Sequence, residues 1–336
     1  MDKAYKAMFP LCSVITEFYL SCSKAMHLFN SLIKPIALYN SENWATLTHH
    51  QIMSLQQNKT SLFSYMTGSE ASKVHFKFIK YILGVKSNCS NVAALGEMGQ
   101  LPLILHGFKS LLVFWHRSTN LPETTLVKQA IELQMNNCIE SEWAATVRYL
   151  LYTLGMDIHL DNPGLVTTEK FANICIRKMS NLCIVQWHRH MTGGYMRPWE
   201  TNKLRFYKLF KTSFKMEPYL NLIPNFQLRK CISKFRCSDH SLEIEVGRHK
   251  KMKIEERICK ICQGEVGTEE HFLRFCPILN ELRSRYFGRI SSFAEWVRIL
   301  KCDEKESAYN LANFLKKGFE IRTKLLTRDV NSFSQH

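Results

Sequence analysis

Long hydrophobic runs are missing from this chain of 336 residues. The longest, Leu101–Trp115, is interrupted by His106 and Lys109, so it is too short and too polar to span a bilayer. The start shows no positively charged leader with an apolar run and a small-residue cleavage site. We therefore expect no membrane association and no disulfide framework. The twelve cysteines are expected to be reduced thiols, in a protein that is intracellular and resides in the cytoplasm, the nucleus or both.

Strand signals, internal repeats and low-complexity tracts are also scarce. Only Leu242–Val246 (LEIEV) alternates as a short strand would. Helical periodicity is plentiful, and it covers Lys73–Leu83, Leu103–Phe114, Ser141–Leu154, Thr167–Met191, Asn202–Met216 and Glu304–Leu326. Ser141 is expected to cap its helix, and Gly84 to end another. The sequence therefore predicts an all-α protein with a small module near the C-terminus.

Acidic residues are outnumbered, and the chain carries a formal net charge of +16. Half of this excess lies between Asn202 and Ile258, where fourteen lysines and arginines face six acids. A solvated helical face is the simpler explanation of such a run. Its position directly before a metal-type cluster favours a polyanionic partner, RNA or DNA.

That cluster is Cys259-x2-Cys262-x8-His271-x4-Cys276. Three sulfurs and one imidazole nitrogen make a closed tetrahedral set, as expected for structural Zn²⁺. Gly264 is expected to supply a positive φ in the turn after the second cysteine. Because protein atoms fill all four positions, no coordination position is left for an activated water, and we expect no catalytic zinc. The alternative is a set of free thiols that lie close together by chance.

Three further residues upstream could compete as ligands, namely Cys231, Cys237 and His240. The simpler interpretation makes Cys231 a small buried residue. It makes His240 a structural or phosphate-facing side chain.

Several phrases of the sequence, spread over nearly the whole chain, resemble the C-terminal part of the reverse transcriptase of LINE-type (non-LTR) retrotransposons. The most specific is Cys231–Arg248 (CISKFRCSDHSLEIEVGR) followed by Arg257–Pro277 (RICKICQGEVGTEEHFLRFCP). Leu28–Trp44 (LFNSLIKPIALYNSENW) is similar to the opening of the family's thumb. The family usually has glycine where this chain has Asn40. His75–Val85 and Glu97–Pro102 are similar to thumb and post-thumb helices.

The resemblance implies three regions and a partner. Residues 1–125 would be a thumb-like helical region, and residues 126–222 a helical linker region. Residues 223–336 would hold the basic segment, a zinc-knuckle-like CCHC module and C-terminal helices. Thumb helices in polymerases hold the template–primer duplex by its backbone. The rest of the reverse transcriptase polyprotein is a further expected partner, in a ribonucleoprotein.

The resemblance also shows what the chain lacks. A polymerase palm needs carboxylates that hold two metal ions, and the family places two of them side by side. No two aspartates are adjacent in this sequence, which has only Asp2, Asp157, Asp161, Asp239, Asp303 and Asp329. The acidic run Asp303–Glu306 lacks the spacing of a restriction-like nuclease. We therefore expect the chain itself not to be an enzyme, with the fingers and palm lying outside it.

The predicted function is non-catalytic binding of RNA template, target DNA or both. The candidate phosphate contacts are Lys230, Lys234, Arg236, Arg248, Lys250, Lys251 and Lys253. Trp187 and His188 could stack on bases, although core packing is the simpler role for Trp187. One alternative makes the chain part of an active RNA-directed DNA polymerase whose palm lies elsewhere. The other is a co-opted helical scaffold that binds a protein.

Overall fold

Helices dominate the computed structural model, which describes residues 1–137, 139–193, 203–288, 290 and 292–333. Helix holds 70% of the residues, and no strand occurs within those ranges. Helices α1 to α9 are Asp2–Glu17, Cys22–Leu28, Lys34–Ala37, Ser41–Trp44, His49–Gln56, Leu62–Gly68, Glu70–Leu83, Asn91–Met98 and Ile104–Thr119. Helices α10 to α19 are Leu126–Asn136, Glu142–Thr153, Ile158–Asp161, Thr168–Thr192, Tyr219–Leu222, Phe226–Arg236, Glu243–His249, Asn280–Phe287, Phe293–Lys301 and Lys305–Phe333. The all-α prediction is confirmed.

Short helices of other types join these elements. Phe29–Ile33 and His271–Phe275 are π-helical. The 3₁₀ turns are Pro163–Leu165, Tyr207–Leu209, Ile254–Glu256 and Pro277–Leu279. Two isolated β-bridges, Met98 with Met216 and Ile258 with Val266, are the only strand-like pairings in the described part of the chain.

The chain forms two compact units that interleave along the sequence. The first unit comprises Met1–Leu11, His27–Phe76 and Leu101–Arg189. The second comprises Cys12–Met26, Lys77–Gln100 and His190–His336. The boundaries at 125 and 222, which rest on the family resemblance, stay predictions.

Aromatic rings and side-chain caps hold the first unit together. Trp115 and Phe171 are buried, with ring centroids 6.1 Å apart. The Thr146 hydroxyl accepts a hydrogen bond from the Leu47 backbone N–H at 2.8 Å, and it ties α11 to the segment before α5. Ser141 caps α11 by accepting the Ala144 N–H at 3.2 Å, as predicted.

The turn between α3 and α4 depends on one asparagine. Asn40 has φ of +57°, which is the left-handed region. Glycine enters that region without steric cost, and asparagine is among the few other residues that tolerate it. The turn therefore forms with asparagine in the position where the resembled family has glycine.

Two expectations for the second unit are wrong. Leu242–Val246 begins helix α16 and is not a strand. The alternation misleads because Glu243 and Glu245 are buried together with Leu242 and Ile244, so the segment has no exposed face. Its acids also lie in the first turn, where they suit the helix dipole.

The helix expected over Asn202–Met216 is absent from its described part, which contains turns and the short 3₁₀ helix Tyr207–Leu209. Lys211 is drawn inward there, where its Nζ donates to the Lys215 carbonyl at 2.7 Å and to Glu217 Oε1 at 2.5 Å. A buried charge that needs these partners outweighs the local helical periodicity.

Candidate metal centre and nucleic-acid interface

A tight hairpin turn carries the first two candidate metal ligands. The Cys259 N–H donates to the Glu265 carbonyl at 2.7 Å, and the Gly267 N–H donates to the Arg257 carbonyl at 2.8 Å. The turn between these two segments holds Cys262. Its positive φ belongs to Gln263, at +56°, so the prediction that Gly264 supplies it is wrong.

A π-helical turn carries the other two candidate ligands. The Thr268 hydroxyl accepts the His271 N–H at 3.0 Å, and the Cys276 N–H donates to the His271 carbonyl at 2.8 Å. The sulfur atoms of Cys259, Cys262 and Cys276 and a ring nitrogen of His271 all lie within 4.8 Å of one another. These four residues can therefore hold one metal ion, as the sequence spacing predicted.

The two nitrogens of His271 have different neighbours. Nδ1 lies 3.2 Å from the Glu265 carboxylate, and Nε2 lies 3.2 Å from the Cys262 sulfur. When the proton is on Nδ1, His271 donates a hydrogen bond to the Glu265 carboxylate, and the lone pair of Nε2 faces the sulfur atoms. Carboxylates hold metal-binding imidazoles in this way in many proteins.

The thiols of Cys259 and Cys276 lie within hydrogen-bonding distance of each other. Their hydrogen bond lowers the pKa of Cys259 and raises the pKa of Cys276. A bound cation would favour loss of the thiol protons, because thiolates are the form that binds metal.

The competing ligands lie elsewhere. Cys237 is buried beside Cys89, whose Sγ is 3.9 Å from the Cys237 carbonyl. His240 Nε2 lies 3.2 Å from Glu269 Oε1, which makes it a structural residue. Cys231 is partly exposed, contrary to the expected burial, and its Sγ lies 3.2 Å from the Gln227 carbonyl. None of the three belongs to the four-residue cluster.

Several polar residues of 236–248 form ion pairs beside the segment that holds the Cys/His cluster. Glu245 pairs with Arg205 at 2.7 Å and with Arg248 at 2.9 Å. Glu243 pairs with Arg322 of α19. Burial alone would raise the pKa of Glu269, but the hydrogen bond from His240 and the charge of Arg205 outweigh it and lower the pKa to about 2.

Arg236 is the most deeply buried of the predicted phosphate contacts. Its guanidinium donates to Glu97 at 3.0 Å and pairs with Glu217, and its side chain has no exposed surface. It also lies 4.3 Å from the centroid of the Phe210 ring. Because both carboxylates are ionic partners inside the protein, Arg236 is not available to a nucleic-acid phosphate.

The other predicted contacts divide by exposure. Lys250, Lys251 and Lys253 are exposed after the end of α16. Lys230 and Lys234 are partly exposed on α15. Arg248 is partly exposed, but its charge is taken up by Glu245.

Lys234 belongs to a basic cleft that the sequence did not predict. The cleft has a volume of about 560 Å³, and we call it the lysine cleft after Lys86, Lys234, Lys316 and Lys324. Asp239 neutralises Lys86 at 3.7 Å. In the described part of the chain, no carboxylate lies within ion-pair distance of the other three lysines, although Glu320 also lines the cleft.

Sequence separation explains why the lysine cleft was missed. Lys316 and Lys324 are eight residues apart on α19, a spacing that places them on one helix face. That spacing was the only available signal, because Lys86 and Lys234 come from distant segments and meet α19 only in the folded chain.

The proposed base-stacking residue Trp187 lies in the core, with 0% of its surface exposed, and so cannot stack on a base. His188, which packs against it with ring centroids 4.9 Å apart, is partly exposed.

Comparisons with models of protein families, with curated proteins and with solved structures found no match to this chain. Within the described ranges, none of the helices combines the length and the apolar character that crossing a bilayer requires. The function proposed below therefore depends on the site itself and on the resemblance of the sequence phrases.

Proposed function

We propose that this chain binds RNA or DNA through the phosphate backbone and carries out no chemistry itself. The observation that carries the proposal is the lysine cleft, where three lysines without a carboxylate partner in the described structure come together. Exposed Lys250, Lys251 and Lys253 add charge near the metal-binding module. Lysines that contact phosphates release counterions and give affinity with little sequence preference.

The metal in this proposal is a structural Zn²⁺ held by Cys259, Cys262, His271 and Cys276. Three thiolates and one imidazole suit zinc better than they suit the hard cations Mg²⁺ and Ca²⁺. The ion would join the hairpin to the π-turn, two short segments with little core of their own. The role of the ion is then to hold this module in one conformation. The segments beside the module carry the lysines.

The family resemblance of the sequence supports a more specific proposal. The chain would be the thumb and C-terminal part of a LINE-type reverse transcriptase, and its task would be to hold RNA template, target DNA or both. The alternative that the polymerase is active, with its palm outside this chain, leaves this binding role unchanged. The remainder of the polyprotein is then the proposed protein partner.

The test is binding of a labelled duplex and a labelled single strand at several salt concentrations. We expect affinity to fall steeply with salt. The triple variant Lys234→Gln, Lys316→Gln, Lys324→Gln should bind more weakly, with a salt slope reduced by roughly two to three.

The control carries the same loss of charge in the first unit. Lys3, Lys59 and Lys170 are exposed there, and their glutamine variants should retain most of the affinity. Equal losses of affinity in the two triple variants would mean that net charge alone explains the binding, without a role for the lysine cleft. No binding by the wild-type chain at low salt would refute the proposed function.

A further inference from the structure

A second cleft of the second unit differs in chemistry from the lysine cleft. Its volume is about 550 Å³, and apolar side chains line most of it. We call it the aromatic cleft after Tyr19, Tyr81 and Phe226. These rings are 84%, 42% and 37% exposed, which is high for large apolar side chains that lie together.

One of the two tyrosines is held in place before any ligand arrives. The Tyr81 hydroxyl donates to the Cys12 carbonyl at 3.0 Å. A fixed ring loses little entropy when a flat ligand stacks on it. Tyr19 lies two residues after the end of α1, with φ of +50°, and its side chain is exposed.

One polar group in the aromatic cleft has an unused donor. Arg229 is buried, and its Nη1 donates to the carbonyls of Ile223 at 3.1 Å and Pro224 at 3.3 Å. Its Nε is buried and has no partner within the described structure. A buried donor without an acceptor is costly, so a shift of the Arg229 side chain that brings Nε to an acceptor atom of the ligand would add affinity.

Helix α15 connects the aromatic cleft to the lysine cleft. Phe226 begins the helix, and Lys234 lies eight residues later in the lysine cleft. At about 1.5 Å per residue the two are roughly 12 Å apart, a span of about three to four stacked nucleotides. Between them stands Lys230, whose Nζ lies 5.8 Å from the centroid of the Phe226 ring.

We propose that the aromatic cleft binds an unpaired base of single-stranded RNA or DNA, whose phosphates continue along α15 past Lys230 to the lysine cleft. A base has a flat apolar face for the tyrosine and phenylalanine rings, and acceptor atoms on its edge for Arg229. In a duplex, the faces of a base are covered by stacked neighbours and part of its edge is taken up by the pairing partner. The inference rests on the nucleic-acid binding proposed above.

The test compares two oligonucleotides that carry the same phosphates. One is a short duplex with a four-nucleotide single-stranded overhang, and the other has the same overhang without bases. Fluorescence anisotropy at one fixed salt concentration gives both affinities. We expect wild-type protein to bind the base-bearing overhang about 5- to 150-fold more tightly, the range that corresponds to stacking of one base.

Tyr19→Ala should abolish this preference and leave binding of the abasic overhang unchanged, whereas Tyr19→Phe should retain the preference. Tyr152→Ala is the matched control, since that tyrosine is 62% exposed in the first unit. Equal wild-type affinity for the two overhangs, or a Tyr19→Ala variant that keeps the preference, overturns the inference and leaves phosphate binding standing. Failure of both oligonucleotides to bind overturns it together with the proposed function.

Discussion

At the scale of single residues, the guanidinium of Arg236 lies between the carboxylates of Glu97 and Glu217, with no exposed surface. Tyr219 adds a hydrogen bond from its hydroxyl to Glu97 at 2.7 Å. Removing one partner from such a pair leaves an uncompensated charge in the interior, which is strongly destabilising. The ion pairs that stabilise the fold therefore account for Arg236 in this basic segment.

Arginine and lysine have different roles between residues 202 and 258. The arginines between 202 and 258 pair with carboxylates or donate to backbone carbonyls, as Arg257 does to Ile244 at 2.9 Å. The planar fork of arginine suits such fixed partners, whereas lysine is a hydrated point charge that suits a surface. The surface charge available to a polyanion is therefore mostly lysine, with Lys211 a buried exception.

Glu265 is the residue whose change best tests the metal site. It holds His271 Nδ1 at 3.2 Å and is itself no ligand of the cluster. Glu265→Ala should weaken zinc affinity about 10- to 100-fold, because the imidazole loses the group that fixes its orientation and proton. Competition with a chromophoric chelator measures the affinity.

The neighbouring acid Glu255 provides the control for this variant. It is exposed, and the change Glu255→Ala removes the same charge without touching His271. Equal zinc affinities of the Glu265→Ala variant and the wild-type chain would contradict the role assigned to this carboxylate.

At the scale of elements, the hairpin and α16 pack so closely that only glycine fits at residue 267. A Cβ there would lie 3.1 Å from the Glu243 Cβ and 3.2 Å from the Cys259 Cα. Gly267→Ala should lower the free energy of unfolding by about 1–3 kcal/mol, the usual cost of overpacking, and should weaken zinc binding as Cys259 shifts. Urea unfolding with and without zinc measures both effects.

Gly264→Ala is the matched variant in the same hairpin. A Cβ at residue 264 meets only the Cys262 sulfur, at 3.9 Å, and the positive φ of the turn lies at Gln263. Its unfolding free energy should stay close to that of the wild-type chain. A loss as large as that of Gly267→Ala would mean that Gly264 carries the turn after all.

At the scale of the whole molecule, acid should destabilise the chain through histidines of the first unit. Burial, aided by nearby positive groups, lowers the pKa of His75 from 6.5 to about 3 and the pKa of His106 to about 4. The folded state keeps both rings neutral, whereas the unfolded chain takes up protons near its ordinary pKa. Their contribution to stability is complete above about pH 6.5 and is lost as the pH falls toward the folded values.

The measurement is the free energy of unfolding as a function of pH. His75→Leu should reduce the slope between about pH 6 and pH 4 by roughly 1.4 kcal/mol per pH unit, the contribution of one proton. His50→Gln should leave the slope unchanged, because His50 is exposed. A slope unaffected by His75→Leu would mean that this histidine titrates alike in both states.

Local patterns in the sequence determined most of the predicted helices, the cap at Ser141 and the four residues of the Cys/His cluster. Each of these depends on neighbours within about twenty residues, so spacing and residue type suffice. The same local logic is wrong for Leu242–Val246, because Glu245 and Glu243 are buried as partners of the distant Arg205 and Arg322. It is also wrong for residues 203–216, where Lys211 is buried as the partner of Glu217. Burial of an ion pair is a property of two segments, and neither segment encodes it alone.

Only the tertiary structure decided which basic residues face solvent and which surfaces they form. Arg236 is not a phosphate contact because its guanidinium pairs with Glu97, which is 139 residues away in the sequence. Lys316 and Lys324 line the lysine cleft together with Lys234 because α15 and α19 pack together in the folded chain. Lys86 joins them from the segment after α7, where it pairs with Asp239. Charge follows from composition, but the exposure of charge depends on the fold, since each carboxylate can neutralise only the cations that the fold brings to it.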